Sequence, residues 1–434
     1  MEKLTLKYFA QRWQMSKMMG PVPIIVSTAT DAALNAGVET PAYVYDLNEI
    51  RANSARLRAA LPEQTGIYYS LKANPHPAVL AALRACSALP EVCSVGELNS
   101  ALQAGWRASE VLYTGPGKRD QDLACALEAG VREFCVDSPA ALDQLDRLAV
   151  KFDTDVRCLL RINDDQPVAG QGLAMTGVVS QFGADTEWVL AEPERFASRK
   201  RVRVVGLHLY MGTNLSAVDD LLGQFAHSLV TTARLTDALS NQGVKIEVLD
   251  LGGGFGAPFA QEGVAIGLGG LRTGLVALLD EHASDWRDGD PRIVFESGRY
   301  LVGTAGTLVT GVLDVKHSHG KDVVVLESGI NHLGGMSGLR RLPPLNPHLI
   351  GPRRDGPTLP VVVTGPLCTP LDTWSRNAQL PQLCPGDVLA VPNVGAYGLY
   401  ASLIAFLGHP APTEVVIDDG HVVHISRLEL IRKD

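Results

Sequence analysis

A lysine follows a short apolar run in the stretch YYSLKANPHP, where Lys72 comes directly after IYYSL. Most lysines in such positions are solvated ends of strands. A desolvated lysine can instead form a Schiff base with an aldehyde, and pyridoxal phosphate is the common aldehyde cofactor that uses one. That cofactor would also need a phosphate site, a partner for its pyridine nitrogen and a wall for its ring.

A glycine run in LDLGGGFGAPF offers the phosphate site. Gly252, Gly253 and Gly254 lack Cβ atoms, so their backbone N–H groups can approach an anion closely. A tight strand-to-helix turn would use the same glycines. Gly252, Gly254 and Ala257 also fit the dinucleotide spacing G-x-G-x-x-A, but Pro258 follows at once and the run does not head a βαβ sheet. We therefore favour a phosphate cradle.

A carboxylate in FESGRY could serve the pyridine nitrogen. Glu296 ends an apolar run, and a carboxylate there would keep the nitrogen protonated so that the ring can accept electrons. The alternative is an ion pair between Glu296 and Arg299. Arg299 could also offer a charged fork to the phosphate.

Two rings in HLYMGTN could form the wall of the cofactor site. His208 and Tyr210 are two residues apart on a predicted strand, which places them on one face. Either ring could stack on the cofactor, although His208 alone would be read as a buried core histidine. His317 and His319 in KHSHGKD lack a third ligand with suitable spacing, so we expect no metal site.

The elements that must position these residues alternate apolar runs with helix-patterned segments from residue 67 to 296. The apolar runs are IYYSL (67–71), EVC (91–93), VLYT (111–114), EFCV (133–136), VRCLLRI (156–162), VVGLHLY (204–210), IEVLDL (246–251) and RIVFE (292–296). Eight alternating units predict a (β/α)₈ barrel. The carboxyl ends of its strands would bring Lys72, Arg161 and Glu296 to one mouth.

The pattern changes after residue 300 to two-residue alternation with turn signals, as in LPVVVTG and TEVVIDDGHVVHISR. This alternation predicts a second, all-β domain. The stretch TPAYVYD (40–46) is a further predicted strand that joins it. We therefore expect a barrel over 47–296 and a β domain formed by 1–46 and 297–434.

Composition narrows the class of partner. The net charge of −9 is spread along the chain without clustered Lys and Arg, which argues against nucleic acid and anionic membranes. The seven cysteines are odd in number and contain no C-x-x-C pair, which is typical of reduced thiols in a cytoplasm. The apolar stretch PVPIIV is too short for a signal peptide or a membrane span. We expect a cytoplasmic protein that acts on small molecules.

Across nearly its whole length the chain resembles the fold-type III pyridoxal-phosphate decarboxylases, the ornithine and diaminopimelate decarboxylase family with an alanine-racemase-like barrel. The motifs that carry the resemblance are YYSLKAN, SVGEL, LLRIN, HLYMGTN, LDLGGGFG, ESGR, GPLCTPLD and GAY. The resemblance implies a Schiff base on Lys72 and a pyridine contact from Glu296. It implies further cofactor contacts from Arg161, His208, Tyr210, Thr213, Gly252 to Gly254, Arg299 and Tyr397. The family's stacking histidine falls on Tyr210, and His208 matches a second histidine of the diaminopimelate branch.

The same resemblance implies a catalytic role for the cysteine in GPLCTPLDT. In the family, the cysteine of the G-P-x-C motif reaches the barrel mouth of a partner subunit and donates a proton after carbon dioxide leaves. Cys368 would be that acid, and a packed turn cysteine is the alternative. The resemblance further implies a head-to-tail homodimer with shared active sites and Asp372 at the interface.

The residue after this cysteine bears on the substrate. Family members that form free diamines carry an acid there, whereas this chain has Thr369 and so lacks a charge-assisted contact for a distal ammonium. The stretches ESGRYL, GPLCTP, GAYGL and FLGHPAPTEV resemble the butirosin-type decarboxylases, which act on glutamyl groups tethered to an acyl carrier protein. We therefore expect a decarboxylase of a carrier-tethered amino acid, with Arg340 and Arg341 as candidate contacts to an acidic carrier.

Three alternatives stay open at this point. A decarboxylase of a free amino acid would share the fold and the cofactor. An amino-acid racemase of this type tends to place an arginine at the pyridine nitrogen, and Glu296 argues against it. A non-catalytic pyridoxal-phosphate carrier would have no use for a proton-donating thiol, and Cys368 argues against it.

Overall fold

A computed structural model describes residues 28–164, 176–334 and 345–432. The chain separates into two compact units, each of which is discontinuous in sequence. The barrel unit contains Glu49–Ala257 and Val264–Val302. The β unit contains the described parts of 1–48, 258–263 and 303–434.

Strands and helices alternate regularly until residue 302 and strands dominate afterwards. The strands are β1 (Ala42–Asp46), β2 (Gly66–Ser70), β3 (Leu89–Val92), β4 (Leu112–Tyr113), β5 (Glu133–Val136), β6 (Val156–Asn163), β7 (Ala184–Asp185), β8 (Val202–Leu209), β9 (Val248–Asp250), β10 (Arg292–Ser297), β11 (Gly306–Ser318), β12 (Lys321–Leu326), β13 (Leu359–Thr364), β14 (Thr373–Leu380), β15 (Val388–Val391), β16 (Thr413–Asp418) and β17 (His421–Arg427). The helices are α1 (Thr28–Asn35), α2 (Leu47–Ala60), α3 (Pro77–Ala85), α4 (Val95–Gln103), α5 (Asp120–Ala129), α6 (Pro139–Lys151), α7 (Thr186–Ala191), α8 (Val218–Ser240), α9 (Leu271–His282) and α10 (Arg299–Val302).

The barrel unit is a closed parallel sheet. Its strands follow the order β2, β3, β4, β5, β6, β8, β9, β10, and β10 pairs with β2 to complete the circle. The short β7 pairs with the end of β6. Each of the eight predicted apolar runs overlaps one of these barrel strands. The predicted (β/α)₈ barrel is therefore confirmed.

Local sequence explains how the strands and helices of the barrel connect. Ser94 and Ser138 each precede a helix, and their hydroxyls accept the backbone N–H of Glu97 and Ala141, at 3.2 Å in both cases. Such hydroxyls satisfy N–H groups that a helix leaves without a partner. Inside the barrel, one buried layer is formed by Tyr68, Leu112, Cys135, Leu159, Val205, Val248 and Val294, with Leu89 packed against them. The centre of the barrel is therefore a packed core at this level.

The β unit is built on a sheet with the order β14, β13, β12, β11, β1, β16, β17, and β15 also pairs with β11. The predicted strand over 40–46 is observed as β1. It runs antiparallel to β11 and parallel to β16. Val44, Val309 and Val415 from these three strands form an apolar cluster that also includes Ala33 of α1.

Candidate active site

The strand register of the barrel places several predicted residues side by side. Arg161 on β6 is the partner of His208 on β8, and His208 is the partner of Asp250 on β9. Glu296 lies near the end of β10, which pairs with β9. Lys72 follows β2 in the single helical turn Leu71–Ala73. The carboxyl ends of the strands therefore carry a lysine, an arginine, a histidine and two carboxylates.

Lys72 has a buried carboxylate beside it. Its Nζ lies 3.9 Å from Oε1 of Glu91, and the Lys72 side chain is 44% exposed whereas that of Glu91 is 3% exposed. The hydroxyl of Thr114 donates a hydrogen bond to the same Oε1. Burial has the largest influence on the pKa of Glu91 and acts to raise it. The opposing influences are the charge of Lys72, hydrogen bonds from Ser70 and Thr114, and the charge of Arg161. Together they hold the pKa of Glu91 below its usual value. An ionised Glu91 therefore faces the lysine.

A second group of titratable side chains lies across the same interior. The ligand atoms of His208, Asp250 and Glu296 all lie within 4.8 Å of one another, and the three residues are almost completely buried. Burial, followed by the charges of Glu91 and Asp250, raises the pKa of Glu296 well above its usual range. Burial also raises the pKa of Asp250 to about 7, although the N–H of Gly252 acts against it. These carboxyls are costly to ionise without an outside partner.

Three polar atoms of this group lack hydrogen bonds. Among the described residues, Glu296 Oε1, His208 Nε2 and Asp250 Oδ2 are buried and have no hydrogen-bond partner. His208 Nε2 approaches Glu296 Oε1 to 3.3 Å, but the two groups are not aligned as in a hydrogen bond. Buried polar atoms are normally satisfied. Such unsatisfied atoms are expected in a site where a bound molecule supplies the missing hydrogen bonds.

The glycine run closes over the strand ends so tightly that side chains cannot fit. A Cβ on Gly253 would lie 2.1 Å from the carbonyl oxygen of Glu296, and one on Gly252 would lie 2.7 Å from that of Leu209. Gly252 and Gly254 also have positive φ angles of 65° and 98°. The N–H of Gly252 donates to Asp250 Oδ1 over 2.9 Å. Only glycine permits this backbone path, which packs the loop against the carboxylate group.

The two candidate stacking rings have different surroundings. β8 ends at Leu209, so Tyr210 lies just beyond the strand, and its ring carbon would be 2.9 Å from a Cβ on Gly252. Tyr210 is partly exposed, and its hydroxyl hydrogen-bonds with the side chain of Thr213. His208 is 1% exposed. Tyr210 is therefore the more exposed of the two residues, and which ring stacks on the cofactor stays a prediction.

The two predicted arginines also lie in the barrel unit. The guanidinium of Arg161 packs over the ring of Phe182, 4.6 Å from its centroid, and the residue is buried. Its charge acts to lower the pKa of Glu296 and of Glu91. Arg299 is the first residue of α10, two residues after the end of β10, and is half-buried. A positive charge therefore stands close to the buried carboxylates.

The turn that carries the predicted acid belongs to the β unit. Cys368 is exposed, in contrast to the other six free cysteines. Asp372 is 2% exposed, and its carboxylate accepts the backbone N–H of Ile330 over 2.8 Å and of Leu367 over 2.9 Å. The hydroxyl of Thr369 accepts the N–H of Leu371 over 3.3 Å. Asp372 thus organises the turn that exposes the thiol, and its placement at a subunit interface stays a prediction.

Tyr397 of the β unit adopts a left-handed backbone conformation with φ 57°. Such a conformation is uncommon for a bulky side chain and is held only where the surrounding structure requires it. Arg340 and Arg341 lie outside the described residues. The carrier contact of these two arginines stays a prediction. The cofactor contact of Tyr397 also stays a prediction.

Residues 47–303 match the family model described as the pyridoxal-binding domain of pyridoxal-dependent decarboxylases. The chain belongs to this family. It is a pyridoxal-phosphate-dependent amino-acid decarboxylase, as the sequence motifs predicted. No helix within 28–164, 176–334 or 345–432 is both long enough and apolar enough to span a bilayer.

Individual relatives share most of the length of this decarboxylase. It is 32% identical to the L-glutamyl-acyl-carrier-protein decarboxylase of Niallia circulans over 91% of the chain and 92% of the relative. It is also 32% identical to the diaminopimelate decarboxylase of Methanothermobacter thermautotrophicus, over 88% of each chain. The crystal structure of diaminopimelate decarboxylase from Helicobacter pylori complexed with L-lysine superimposes with a TM-score of 0.77 at 26% identity, covering 91% of this chain and 94% of that one.

The residues of the barrel fit the family's cofactor. An unpartnered carboxylate oxygen of Glu296 suits the N–H of a protonated pyridine ring, because a pyridinium supplies both the donor and the charge that the buried carboxylate lacks. Lys72 lies at the end of a neighbouring strand with a partly exposed side chain. Sequence reasoning did not identify Glu91 or Asp250 as part of this arrangement, and their only signal was a place on predicted strands.

Proposed function

We propose that the decarboxylase removes the α-carboxylate of an amino acid that is attached through its side-chain carboxyl to an acyl carrier protein. The tether would use the side-chain carboxyl because the α-carboxylate must be free to leave. The observation that carries the proposal is Thr369. It places a neutral hydroxyl next to Cys368, where an acid would be needed to bind a distal ammonium. The relative that acts on a glutamyl-acyl-carrier protein supports the same substrate class.

The residues of the barrel would hold the cofactor as follows. Lys72 would bind its carbonyl carbon covalently, and Glu296 would accept the N–H of the pyridine ring. Arg299, Tyr397 and the glycine run Gly252 to Gly254 would contact the phosphate. Within the run, Gly253 and Gly254 would offer their N–H groups, because the N–H of Gly252 is donated to Asp250. Tyr210 would cover one face of the ring, because it lies just beyond the end of β8 and is partly exposed, whereas His208 is buried. When bound, pyridoxal phosphate supplies an electron sink for the electrons left by the departing carboxylate.

Cys368 would complete the reaction. Its Sγ would donate a proton to the Cα that carried the carboxylate, and its exposure supports this role. We further propose that Cys368 serves the Lys72 site of a second subunit in a homodimer. The hydrogen-bonded turn around Asp372 supports a thiol that is presented outward.

Subunit mixing tests the shared site. Lys72→Ala and Cys368→Ala proteins, each inactive or nearly so, are unfolded together, refolded and assayed. In a two-fold dimer with shared sites, half of the randomly formed dimers are mixed and each has one intact site, so activity should return to about a quarter of the wild-type value. Absence of any recovery in verified mixed dimers would mean that each subunit supplies its own cysteine.

The substrate proposal is tested by measuring released carbon dioxide. The wild-type enzyme is offered glutamyl-acyl-carrier protein, free glutamate, diaminopimelate, ornithine and lysine, with Lys72→Ala as the inactive control. We expect the highest kcat/KM for the tethered amino acid. Higher kcat/KM for a free diamino acid than for any tethered one would reject the carrier and leave the decarboxylase assignment in place.

A decarboxylase of a free diamino acid is the second candidate. It is favoured by the identity shared with diaminopimelate decarboxylases. Thr369→Asp separates the two, because a new carboxylate rewards an ammonium but must otherwise be desolvated without a partner, at a cost of roughly 1–3 kcal/mol. For a tethered natural substrate, kcat/KM should fall in Thr369→Asp while that for ornithine or lysine rises modestly. Thr369→Val is the control, since it removes the hydroxyl without adding charge.

A further inference from the structure

The barrel interior contains a thiol that contacts the carboxylate group through a histidine. Cys135 lies on β5 and is 1% exposed. Its Sγ is 3.3 Å from Nδ1 of His208, and the other ring nitrogen of His208 is 3.3 Å from Oε1 of Glu296. The imidazole therefore stands between a thiol and the carboxylate that would face the pyridine ring.

We propose that Cys135 is a positioning residue that sets the tautomer of His208. The thiol donates its hydrogen to Nδ1, so the ring carries its single proton on Nε2, the nitrogen that lies 3.3 Å from Oε1 of Glu296. This inference rests on the proposed role of Glu296 at the pyridine nitrogen. It assigns Cys135 and His208 to the support of that carboxylate and leaves stacking to Tyr210.

The charge state of the histidine follows from its surroundings. Burial, followed by the charges of Arg161, Lys72 and Lys118, lowers the pKa of His208 well below its usual value. The ring is therefore neutral near pH 7 and has one N–H for its two nitrogens. One nitrogen must accept a hydrogen bond while the other donates.

The neighbours decide which nitrogen donates. Burial, followed by the charge of Asp137, raises the pKa of Cys135 well above its usual value, so the thiol keeps its proton and can donate it to a bare Nδ1. An ionised Glu296, the form that pairs with a protonated pyridine, can only accept. With a proton on Nε2 and a bare Nδ1, the thiol has an acceptor and the carboxylate faces an N–H rather than a lone pair. The opposite tautomer would leave a bare nitrogen facing a carboxylate.

The expected function of this arrangement is to keep Glu296 ionised in a buried place. Burial alone favours its neutral form. The positive end of the Nε2–H bond dipole, which lies close to Oε1 without forming a hydrogen bond, opposes that preference. A carboxylate that stays charged binds the protonated pyridine more tightly. Loss of the thiol should therefore weaken cofactor binding without touching any atom of the cofactor.

Cys135→Ala and Cys135→Ser test the proposal through pyridoxal phosphate binding. The dissociation constant is measured by absorbance titration of the apoprotein without substrate. We expect Cys135→Ala to raise this constant about tenfold, which corresponds to ~1.4 kcal/mol, and Cys135→Ser to recover most of the loss because its hydroxyl can donate as well. Cys158→Ala is the matched control, since Cys158 is a buried barrel thiol that donates to the carbonyl of Leu159.

The tautomer itself is read by ¹⁵N NMR of histidine-labelled protein loaded with pyridoxal phosphate, with His208→Gln to assign the signal. Wild type and Cys135→Ser should carry the proton on Nε2, and Cys135→Ala should lose that fixed pattern. A proton on Nδ1 in wild type would overturn the proposal. So would equal weakening of binding in Cys158→Ala, because a void in the core would then explain the effect.

Glu296→Ala distinguishes failure of the positioning role of Cys135 from failure of the proposed role of Glu296. Glu296→Ala should weaken pyridoxal phosphate binding if Glu296 faces the pyridine ring. Normal binding in Glu296→Ala would reject the proposed role of the carboxylate. Normal binding in Cys135→Ala together with weak binding in Glu296→Ala would reject only the positioning role of the thiol.

Discussion

The buried carboxylates of the barrel unit and the cysteine turn of the β unit handle polar groups in opposite ways. In the barrel, Glu296 and His208 each have a buried atom without a hydrogen-bond partner. In the turn, the buried carboxylate of Asp372 holds two backbone N–H groups while Cys368 is exposed. The first arrangement depends on a bound molecule to complete it, whereas the second is complete and holds one reactive group outward. A side chain that binds the cofactor and one that delivers a proton thus have different structural requirements.

The largest effect that would test the barrel side of this contrast is expected from Lys72→Ala. Without the amine the cofactor has no covalent attachment, so the visible absorbance band of the bound cofactor should disappear and kcat should fall by ~10⁴-fold or more, the scale found when a covalent catalytic group is removed. Lys245→Ala, which removes an exposed lysine paired with Asp290, is the control. A retained band in Lys72→Ala would place the attachment elsewhere.

Cys368→Ala tests the role of the exposed thiol in the cysteine turn of the β unit. The variant should bind pyridoxal phosphate normally and keep its stability, because the thiol is exposed. Its turnover should fall by ~10²–10⁴-fold, as expected for loss of a general acid, and some turnovers should end in misplaced protonation, seen as pyridoxamine phosphate by mass spectrometry. Cys384→Ala, also in the β unit, is the control. Wild-type rate and products in Cys368→Ala would return the residue to a purely structural role.

Asp372→Ala sharpens the claim that the turn is internally complete. Two buried N–H groups, those of Ile330 and Leu367, would lose their acceptor. Each unsatisfied group costs ~1–3 kcal/mol, so the free energy of unfolding of the β unit should fall by about 2–6 kcal/mol. Asp372→Asn should lose less because it keeps one carbonyl oxygen. Urea denaturation measures both, and unchanged stability in Asp372→Ala would contradict the anchoring role.

The smallest effect is a pH dependence of the apoprotein. The native state keeps the proton of Asp250 to about pH 7, against an ordinary value of 3.8. The stabilisation from the neutral carboxyl is therefore present below pH 3.8 and is lost as pH rises through about 7. Thermal unfolding of the apoprotein between pH 5 and 8 should show this loss in wild type and less of it in Asp250→Asn. The exposed Asp237→Asn is the control, and it should unfold like wild type at each pH.

Sequence predicted the parts of the molecule whose signals are local. The barrel strands were found because each is a short apolar run followed by a helix pattern. Lys72, Arg161 and Glu296 were found because they end such runs. β14 was missed because it is an edge strand with exposed residues on both faces, so its sequence shows no clear alternation.

The partners of the catalytic candidates were not predictable in the same way. Glu91 and Asp250 are unremarkable carboxylates in sequence, and Cys135 is an ordinary buried cysteine. Their roles depend on neighbours brought close only by closure of the barrel, such as His208 at 3.3 Å from a thiol 73 residues earlier. A pattern along the chain carries no record of such distances.

The position of β1 has a consequence for synthesis of the protein. β1 is the first described strand to leave the ribosome, yet its parallel neighbour β16 begins at Thr413, about 370 residues later. At ~5–20 residues per second, β1 waits roughly 20–70 s for that neighbour, while all the barrel strands are made in between. Throughout this time its apolar edge has no native partner on that side. A nascent chain stalled before Thr413 should therefore attract chaperones at β1 even though its barrel strands are complete.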